Sequence, residues 1–484
     1  MAGTTLNPGF NPDGELLIDG RWIPSSERAS LDVEDPANRR VVGHVAVATD
    51  ADIDAAIEAA GRTWPEWRET SPHQRTAIIM RAAQLLRDRA VGIAEAMTRE
   101  NGKPYGDSLD EVAYTADIMD SLATEAPRRF GQVLPTAAAD GRTIVISEPV
   151  GPVAAFTTWN YPLTVPGRKV AAALAAGCTV VIKPAEETPA SAVALAHALV
   201  DAGLPAGVLN VLFGDPEQIS SRLIASPTIR KVSFTGSTPV GKHLAGQAAV
   251  FAKPAMLELG GHAPVIIFDD VDIDAVAQQA LGAKTHNTGQ SCGSPIRFYV
   301  HEKVYDAFVE RFGELLGAVA VADGFAEGVG MGPLANERRY AAMAPIVGDA
   351  VAHGARVVTG GTGDDSTGYY WQPTLLADVP EDAIIMNEEP FGPIAAVSSF
   401  RDEDEVLERA NRLPYGLGAY LFTGSAERAL RIPGRLDVGM VSVNRFGVGA
   451  RDTFFGGRKQ SGYGSEGGPE AVEEYLVRKL IVQS

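Results

Sequence analysis

Cys292 stands in "HNTGQSCGSP", residues 286–295, and is one of only two cysteines in 484 residues. Its neighbours are small and polar: Asn287, Thr288, Gly289, Gln290, Ser291, Gly293 and Ser294. A buried structural cysteine behaves as a small hydrophobe and sits among apolar side chains. A thiol in a glycine- and hydroxyl-rich loop suits a nucleophile instead, because loop amides or a helix amino terminus can lower its pKa. Taken alone, the loop leaves an incidental buried thiol equally open. Cys178 is the contrast: it opens the apolar run "CTVVIKP" and reads as core.

Other stretches add chemistry at predicted strand ends. "TTWNYP" sets Asn160 just past a strand pattern, where its amide could donate to a developing oxyanion. "MLELGGHAP" sets Glu258 before two glycines, as a general base toward water. "VIKPAEETP" ends a strand with Lys183 and Glu186, a donor and an acceptor for ribose hydroxyls. "VSFTGSTPVGK" puts Gly236 and Ser237 where a strand meets a helix, a place suited to phosphate. Such a glycine loop is a weak signal by itself. Singly, each reads as a helix cap or a solvated charge; together, after strand ends of one chain, they read as a site.

The elements that must hold these residues follow from hydrophobic period. Residues 51–100 predict two helices, the second running through "AIIMRAAQLLRDRAVGIAEAMTRE" to a stop at "NGKP". From Gly151 onward strands alternate with helices: "GPVAAFTT", then "GRKVAAALAAG" closed by Gly177, then "CTVVIKP", then "TPASAVALAHALVDAG" closed by Gly203. "VLNVLFG" and "KVSFTG" follow as strands, and the second half adds "HAPVIIFDD", "SPIRFYV", "GARVVTGG" and "GMVSVN". Near-continuous apolar strands between helices imply parallel sheets covered on both faces, with ligands at the carboxyl ends. The fold class is therefore α/β, with a Rossmann-type first half. Two stretches fit neither half. Residues 128–149 predict a hairpin turning at Ala139, Asp140 and Gly141, and "AVEEYLVRKLIVQ" predicts a carboxyl-terminal strand without a local partner. An apolar edge of that kind needs cover, which subunit association would provide.

Bulk properties set the class. A chain of 484 residues implies two or three domains. A net charge of -19 disfavours nucleic acid and anionic membrane as partners. Two cysteines make no secreted disulfide framework, which points to a reducing cytoplasm. The longest mostly apolar run, 170–182, is too short to span a bilayer, and "MAGTTLNPGFNPDG" carries no export pattern. No metal is expected.

In chain order, "WNYP", "KPAEETP", "FTGST", "ELGGHAP", "GQSC", "EEPFGP" and "FFGGRKQSGYG" resemble the aldehyde dehydrogenase superfamily over nearly the whole chain. "KVSFTGSTPVGK", "EEPFGPIA", "PYGLGAYLFT" and "GGRKQSGYG" are most similar to its succinate-semialdehyde dehydrogenase branch. The resemblance implies Cys292 as the nucleophile that forms a thiohemiacetal and then a thioester. It implies Asn160 with the Cys292 amide as the oxyanion pair, and Glu258 as the base for thioester hydrolysis. Trp159, Lys183, Glu186, Gly236, Ser237, Glu389 and Phe391 correspond to cofactor contacts. Glu186 predicts preference for NAD, since a carboxylate repels a 2′-phosphate, while Lys183 leaves NADP tolerable. Tyr161, Arg168, His286 and Phe455 correspond to the lining of the aldehyde tunnel.

The resemblance further implies a cofactor domain of residues 1–127 and 148–256 and a catalytic domain of 257–460. Residues 128–147 and 461–484 would form an oligomerisation element giving a homodimer or homotetramer. The sequence also departs from the branch. Arg168 matches one of two arginines that grip a substrate carboxylate, whereas the second position is His286, which holds an anion less well. Arg445 and Arg451 could restore the charge, or lie exposed. Ser294 stands where some relatives carry a second, redox-sensing cysteine; His262 and Ser465 replace residues common in the family. A CoA-acylating dehydrogenase fits less well because Glu258 is present. A cofactor-free thiol hydrolase would leave Lys183, Glu186, Ser237 and Glu389 without purpose, and a non-catalytic protein would not need Cys292, Asn160 and Glu258 together.

Overall fold

Strands that are apolar on both faces need cover on both faces, and this chain builds two such sheets. The computed structural model describes residues 14–135 and 141–483. The first sheet has eight strands, in the order Arg21–Ile23, Leu16–Ile18, Leu209–Val211, Val180–Lys183, Val153–Phe156, Lys231–Thr235, Ala255–Glu258 and Gly462–Tyr463. The five from Leu209–Val211 to Ala255–Glu258 run parallel. The chain starts this core at Val153–Phe156, builds outward to one side, then crosses back and builds to the other. That reversal opens a crevice at the carboxyl ends, the usual ligand position in such sheets. Register brings the site residues to that end: Phe156 pairs with Lys183, and Thr235 with Glu258.

Helix Thr164–Ala176 covers this sheet and carries no exposed residue. Gly177 ends it at φ 97, a left-handed cap that costs other residues a Cβ clash, and its amide returns to Ala173 and Leu174. Helix Pro189–Asp201 begins with proline at its first turn and runs to a left-handed Gly203. Both closures match the sequence reading.

The second sheet has seven strands, ordered Arg356–Thr359, Thr374–Ala377, Ile394–Phe400, Pro295–His301, Ala263–Ile267, Gly418–Phe422 and Met440–Val443. All run parallel except the antiparallel edge Arg356–Thr359. Helix Tyr305–Gly317 packs Phe308 and Phe312 on Phe298 of the central strand. Glu258 ends the last parallel strand of the first sheet, just before Ala263–Ile267 opens the second, and Cys292 lies in the loop that enters strand Pro295–His301 of the second sheet.

Two expectations change. The single helix predicted through residue 100 is two, Pro72–Asp88 and Ala90–Asn101, so three helices follow the first strands. Arg89 leaves helical geometry at φ -104, ψ 9 while its guanidinium pairs with Asp201 at 2.6 Å. One irregular residue shifts the apolar stripe too little for periodicity to reveal it. The carboxyl-terminal strand, without a local partner as expected, finds a distant one: Leu476–Gln483 pairs antiparallel along Arg142–Pro149, which in turn pairs with Gln132–Leu134. The predicted hairpin is present, but Ala139 and Asp140 of its turn lie outside the described residues. Gly462–Tyr463 edges the first sheet beside Leu257 and Glu258, so residues near 462 belong with the site and not with the three-stranded sheet. Among the described residues no helix is long and apolar enough to cross a membrane.

Candidate active site

The loop before Cys292 is strained and heavily tied. Asn287 (φ 47), Thr288 (φ 56) and Gly289 (φ 69) are consecutive left-handed residues. For β-branched Thr288 that conformation is rare, and each such non-glycine residue costs about 1–3 kcal/mol unless its surroundings hold it. They do. The Thr288 hydroxyl faces the carbonyls of Gly332 at 3.1 Å and Pro333 at 3.2 Å. Asn287 Nδ2 donates to Asn160 O at 2.8 Å, and the Ala335 amide donates to Gln290 Oε1 at 3.0 Å. A Cβ on Gly261 would lie 2.3 Å from the Cys292 carbonyl oxygen, so the second glycine of "ELGGHAP" is what lets the nucleophile's backbone approach.

Asn160 is buried, and its side chain is fixed at both ends. Nδ2 donates to Gln290 O at 3.0 Å, and Oδ1 accepts from the Thr158 hydroxyl at 2.6 Å. An amide nitrogen carries two protons, so this bond uses one of them. Glu258 is 3% exposed, and neither carboxylate oxygen has a hydrogen-bond partner among the described residues. Burial, then the nearby Glu466 charge, pushes its carboxyl well above the usual carboxylate range, against Lys169 and Arg168.

Lys169 and Glu466 form a buried ion pair behind this base, and the Lys169 ammonium also donates to Ser233 Oγ at 3.0 Å. Sequence reasoning did not single out Lys169 or Glu466. The signal was there: two cations inside an otherwise apolar helix that covers a sheet have no route to water.

Burial, Glu258, Glu389 and Glu466 push the Cys292 thiol above its ordinary range, with Arg168 opposing. This reverses the sequence expectation of a lowered thiol. Three acidic groups and a closed setting outweigh what the loop amides contribute. Cys178 is buried as expected, and its thiol donates weakly to Tyr475 O at 3.4 Å.

Lys183, Gly236 and Ser237, which the resemblance assigns to a cofactor, lie at or just past the carboxyl ends of parallel strands. Lys183 and Glu186 pair with each other, and Glu186 Oε1 accepts from the Gly214 amide at 3.1 Å. Ser237 caps helix Thr238–Val250 without a side-chain capping bond and is exposed. Gly236 N–H donates to Glu258 O at 3.0 Å, tying that loop to the strand of the base. Trp159 and Phe391 meet edge to face, 5.5 Å between centroids. Burial pushes the Glu389 carboxyl up to about 7, while the Gly261 amide, donating at 3.0 Å, and the charges of Arg339 and Lys284 oppose this.

Arg168 is 8% exposed, lies 4.5 Å over the Phe455 ring and donates to the Tyr114 hydroxyl at 3.2 Å. Among the described residues no carboxylate pairs with it, and its Nε has no hydrogen-bond partner. His286 Nδ1 lies 3.2 Å from Asp107 Oδ2, and its ring is 6.2 Å from Tyr161. Arg451 is committed to Asp117 and lies over Tyr114, so it does not restore a free cation; Arg445 is exposed. No group of three or more His, Cys, Asp or Glu among the described residues could hold a metal ion.

Residues 22–481 match the family described as the aldehyde dehydrogenase family. The chain belongs to that family. It is 43% identical to a 4-(hydroxymethyl)benzenesulfonate dehydrogenase of Comamonas testosteroni, with 96% of this chain and 97% of the relative covered. It is 40% identical to an NADP-dependent succinate-semialdehyde dehydrogenase of Escherichia coli, with the same coverage of 96% and 97%. The crystal structure of a Burkholderia pseudomallei succinate-semialdehyde dehydrogenase superposes with a TM-score of 0.96 at 38% identity, covering 100% of each chain.

Two departures noted in the sequence now have local explanations. The dehydrogenase buries His262 with Nε2 3.0 Å from Ile385 O, and burial holds the ring well below its usual pKa, hence neutral. Ser465 bonds the carbonyls of Gly467 at 2.9 Å and Phe455 at 3.3 Å, bracing the turn that presents Glu466 and Phe455. One prediction follows from the thiol environment. In the dinucleotide-free enzyme, alkylation of Cys292 by iodoacetamide should keep rising above the pH range of an ordinary thiol, with Cys178 unlabelled. Mass spectrometry of labelled peptides across pH checks this, and a Cys292 plateau below pH about 8 would contradict it.

Proposed function

We propose that this dehydrogenase oxidises an aldehyde carrying an anionic group at its far end, using Cys292 as nucleophile and NAD in preference to NADP. The observation that carries the proposal is Arg168: a buried guanidinium that makes no ion pair among the described residues, near enough to Cys292 and Glu258 to act on both by charge alone. A buried cation of that kind is costly until an anion arrives. The semialdehyde dehydrogenases among the relatives agree with a carboxylate there.

The donor set fits a dinucleotide. Ser237, exposed at a helix amino terminus with its hydroxyl unused in capping, would face the pyrophosphate. Lys183 and Glu186 would take the adenosine ribose, Glu389 the second ribose, and Trp159 with Phe391 would flank the ring. The bound dinucleotide supplies the hydride acceptor. Glu258, made basic by burial, takes the thiol proton, and the resulting Cys292 thiolate attacks the carbonyl carbon. The free Asn160 N–H and the Cys292 amide hold the oxyanion. Once hydride has left, the acyl group stays on sulfur as a thioester. Glu258 must first pass the thiol proton on to solvent; it then draws a proton from water, which attacks that thioester, and this second proton returns to the expelled sulfur as the acid leaves.

A second reading has its own support. His286 is held by Asp107, so one arginine stands where a succinate-sized substrate would meet two, and that arginine is packed on aromatic faces. This favours an anionic aryl aldehyde, in keeping with the benzenesulfonate relative. General aliphatic or aromatic aldehydes are the remaining alternative.

We also assign residues 1–127 and 148–256 to a cofactor domain, 257–460 to a catalytic domain, and the sheet of Gln132–Leu134, Arg142–Pro149 and Leu476–Gln483 to subunit contact. Val133, Leu480 and Val482 stand exposed on that sheet at 73%, 61% and 71%, which supports a homodimer or homotetramer. Two free cysteines suit the reducing cytoplasm.

Three measurements test these readings. NADH formation is compared across neutral aldehydes, terminal-carboxylate semialdehydes and sulfonated benzaldehydes. The anionic series should win, Arg168→Ala should remove most of that preference, and Cys292→Ala should abolish turnover. A preference for neutral substrates that survives Arg168→Ala would refute the anion site. Glu186→Ser should shift the NAD-to-NADP ratio of kcat/KM toward NADP by about tenfold, as loss of one charged contact implies. Removing residues 476–484 should give monomers by light scattering; an unchanged oligomer would refute the contact sheet.

A further inference from the structure

We propose that Lys103 and Glu111 are positioning residues that aim the Asn160 amide at the substrate oxygen. This rests on the reading of Asn160 as an oxyanion donor. Lys103 follows a left-handed Gly102 in the loop between helices Ala90–Asn101 and Tyr105–Glu125, and Glu111 lies on the second of these. Their side chains are 1% and 3% exposed and joined at 2.6 Å.

What the pair touches gives it purpose. The Lys103 ammonium donates to the backbone carbonyl of Asn160 at 3.0 Å and lies 4.7 Å over the ring of Tyr161. Glu111 Oε1 accepts from the amides of Leu163 and Thr164 at 3.0 and 3.1 Å, at the start of the helix that carries Arg168 and Lys169. The turn from Asn160 to Thr164 is thus gripped at both ends by one ion pair. Asn287 Nδ2 reaches the same Asn160 carbonyl from the nucleophile loop at 2.8 Å. Both lone pairs of that carbonyl are used, one by the Lys103 side and one by the Cys292 side. The backbone of Asn160 is therefore set relative to Cys292 through two bonds, and its side chain through a third, to Gln290.

A buried pair is a poor source of stability compared with apolar packing of equal volume. It does offer direction: an ammonium and a carboxylate each orient several backbone groups, which a leucine and a methionine would not. An oxyanion donor needs that, because its contribution depends on placement within fractions of an ångström.

The test is a double-mutant cycle with the full-length enzyme. Lys103→Met should lower kcat by about 30-fold or more, approaching the 10²–10³ typical of a lost oxyanion donor. KM for aldehyde and dinucleotide should each stay within about threefold, since uniform binding is untouched. In an Asn160→Ala background the same substitution should cost less than about threefold, because the group it aims is gone. An equal loss in both backgrounds, or an unchanged kcat, would overturn the proposal. If Lys103→Met does not fold, Glu111→Gln takes its place. The amide oxygen can still accept from Leu163 and Thr164, while Lys103 loses its counter-charge, and the same coupling is required. A crystal structure of the folded variant gives a readout independent of turnover: Asn160 Nδ2 should have left hydrogen-bond distance of Gln290 O, and an unmoved turn would also overturn the proposal. Absence of dinucleotide-dependent oxidation in the unsubstituted enzyme would instead refute the function proposed above and leave the crystallographic arm intact.

Discussion

A carboxylate sealed from water and short of hydrogen bonds is an expensive object, and among the described residues Glu258 is held close to that state at the end of strand Ala255–Glu258. Much around it reads as the means of tolerating that condition. Lys169 and Arg168 supply positive charge from one helix, Glu466 checks it from another segment, and the glycines at 260 and 261 let the Cys292 loop and Glu389 close over the remaining space. The same exclusion of water raises the thiol and the Glu389 carboxyl. Protonation states here are set mainly by desolvation, with single charges as corrections.

Strain is managed in a comparable way. The left-handed run from Asn287 to Gly289 would relax in an open loop. Here Thr288 is bound to Gly332 and Pro333, Gln290 to Ala335 and Asn287 to Asn160, so two separate chain segments hold one bend. The bend leads into Ser291, Cys292 and Gly293, so the thiol's immediate chain neighbours are small. The polar character that first set this loop apart from an ordinary cysteine environment is therefore structural as well as chemical: its hydroxyl and amides are the anchors.

Much of this was legible in the sequence. Strand–helix alternation predicted the parallel sheets, and Asn160 and Glu258 could be placed at strand ends, and Cys292 in a loop, because glycine and polar residues interrupt apolar runs there. What escaped was non-local or was hidden within a regular pattern. Arg89 breaks a helix without disturbing its stripe. The partner of strand Leu476–Gln483 lies far back in the chain, where no short-range signal reaches. Lys169–Glu466 and Lys103–Glu111 join residues whose charges look like ordinary surface, and only the depth of the helices reveals otherwise. The direction of the thiol shift depended on three acids from three segments, a sum that local sequence does not contain.

Gly462–Tyr463 and Glu466 have a further meaning for how the enzyme is made. During synthesis the strand of the base and the helix of Lys169 leave the ribosome long before these residues do. Until they arrive, Ala255–Glu258 lacks its outer neighbour and Lys169 lacks its counter-ion. A nascent chain therefore carries Cys292 before the surroundings of Glu258 are complete, and this part of the molecule is assembled last.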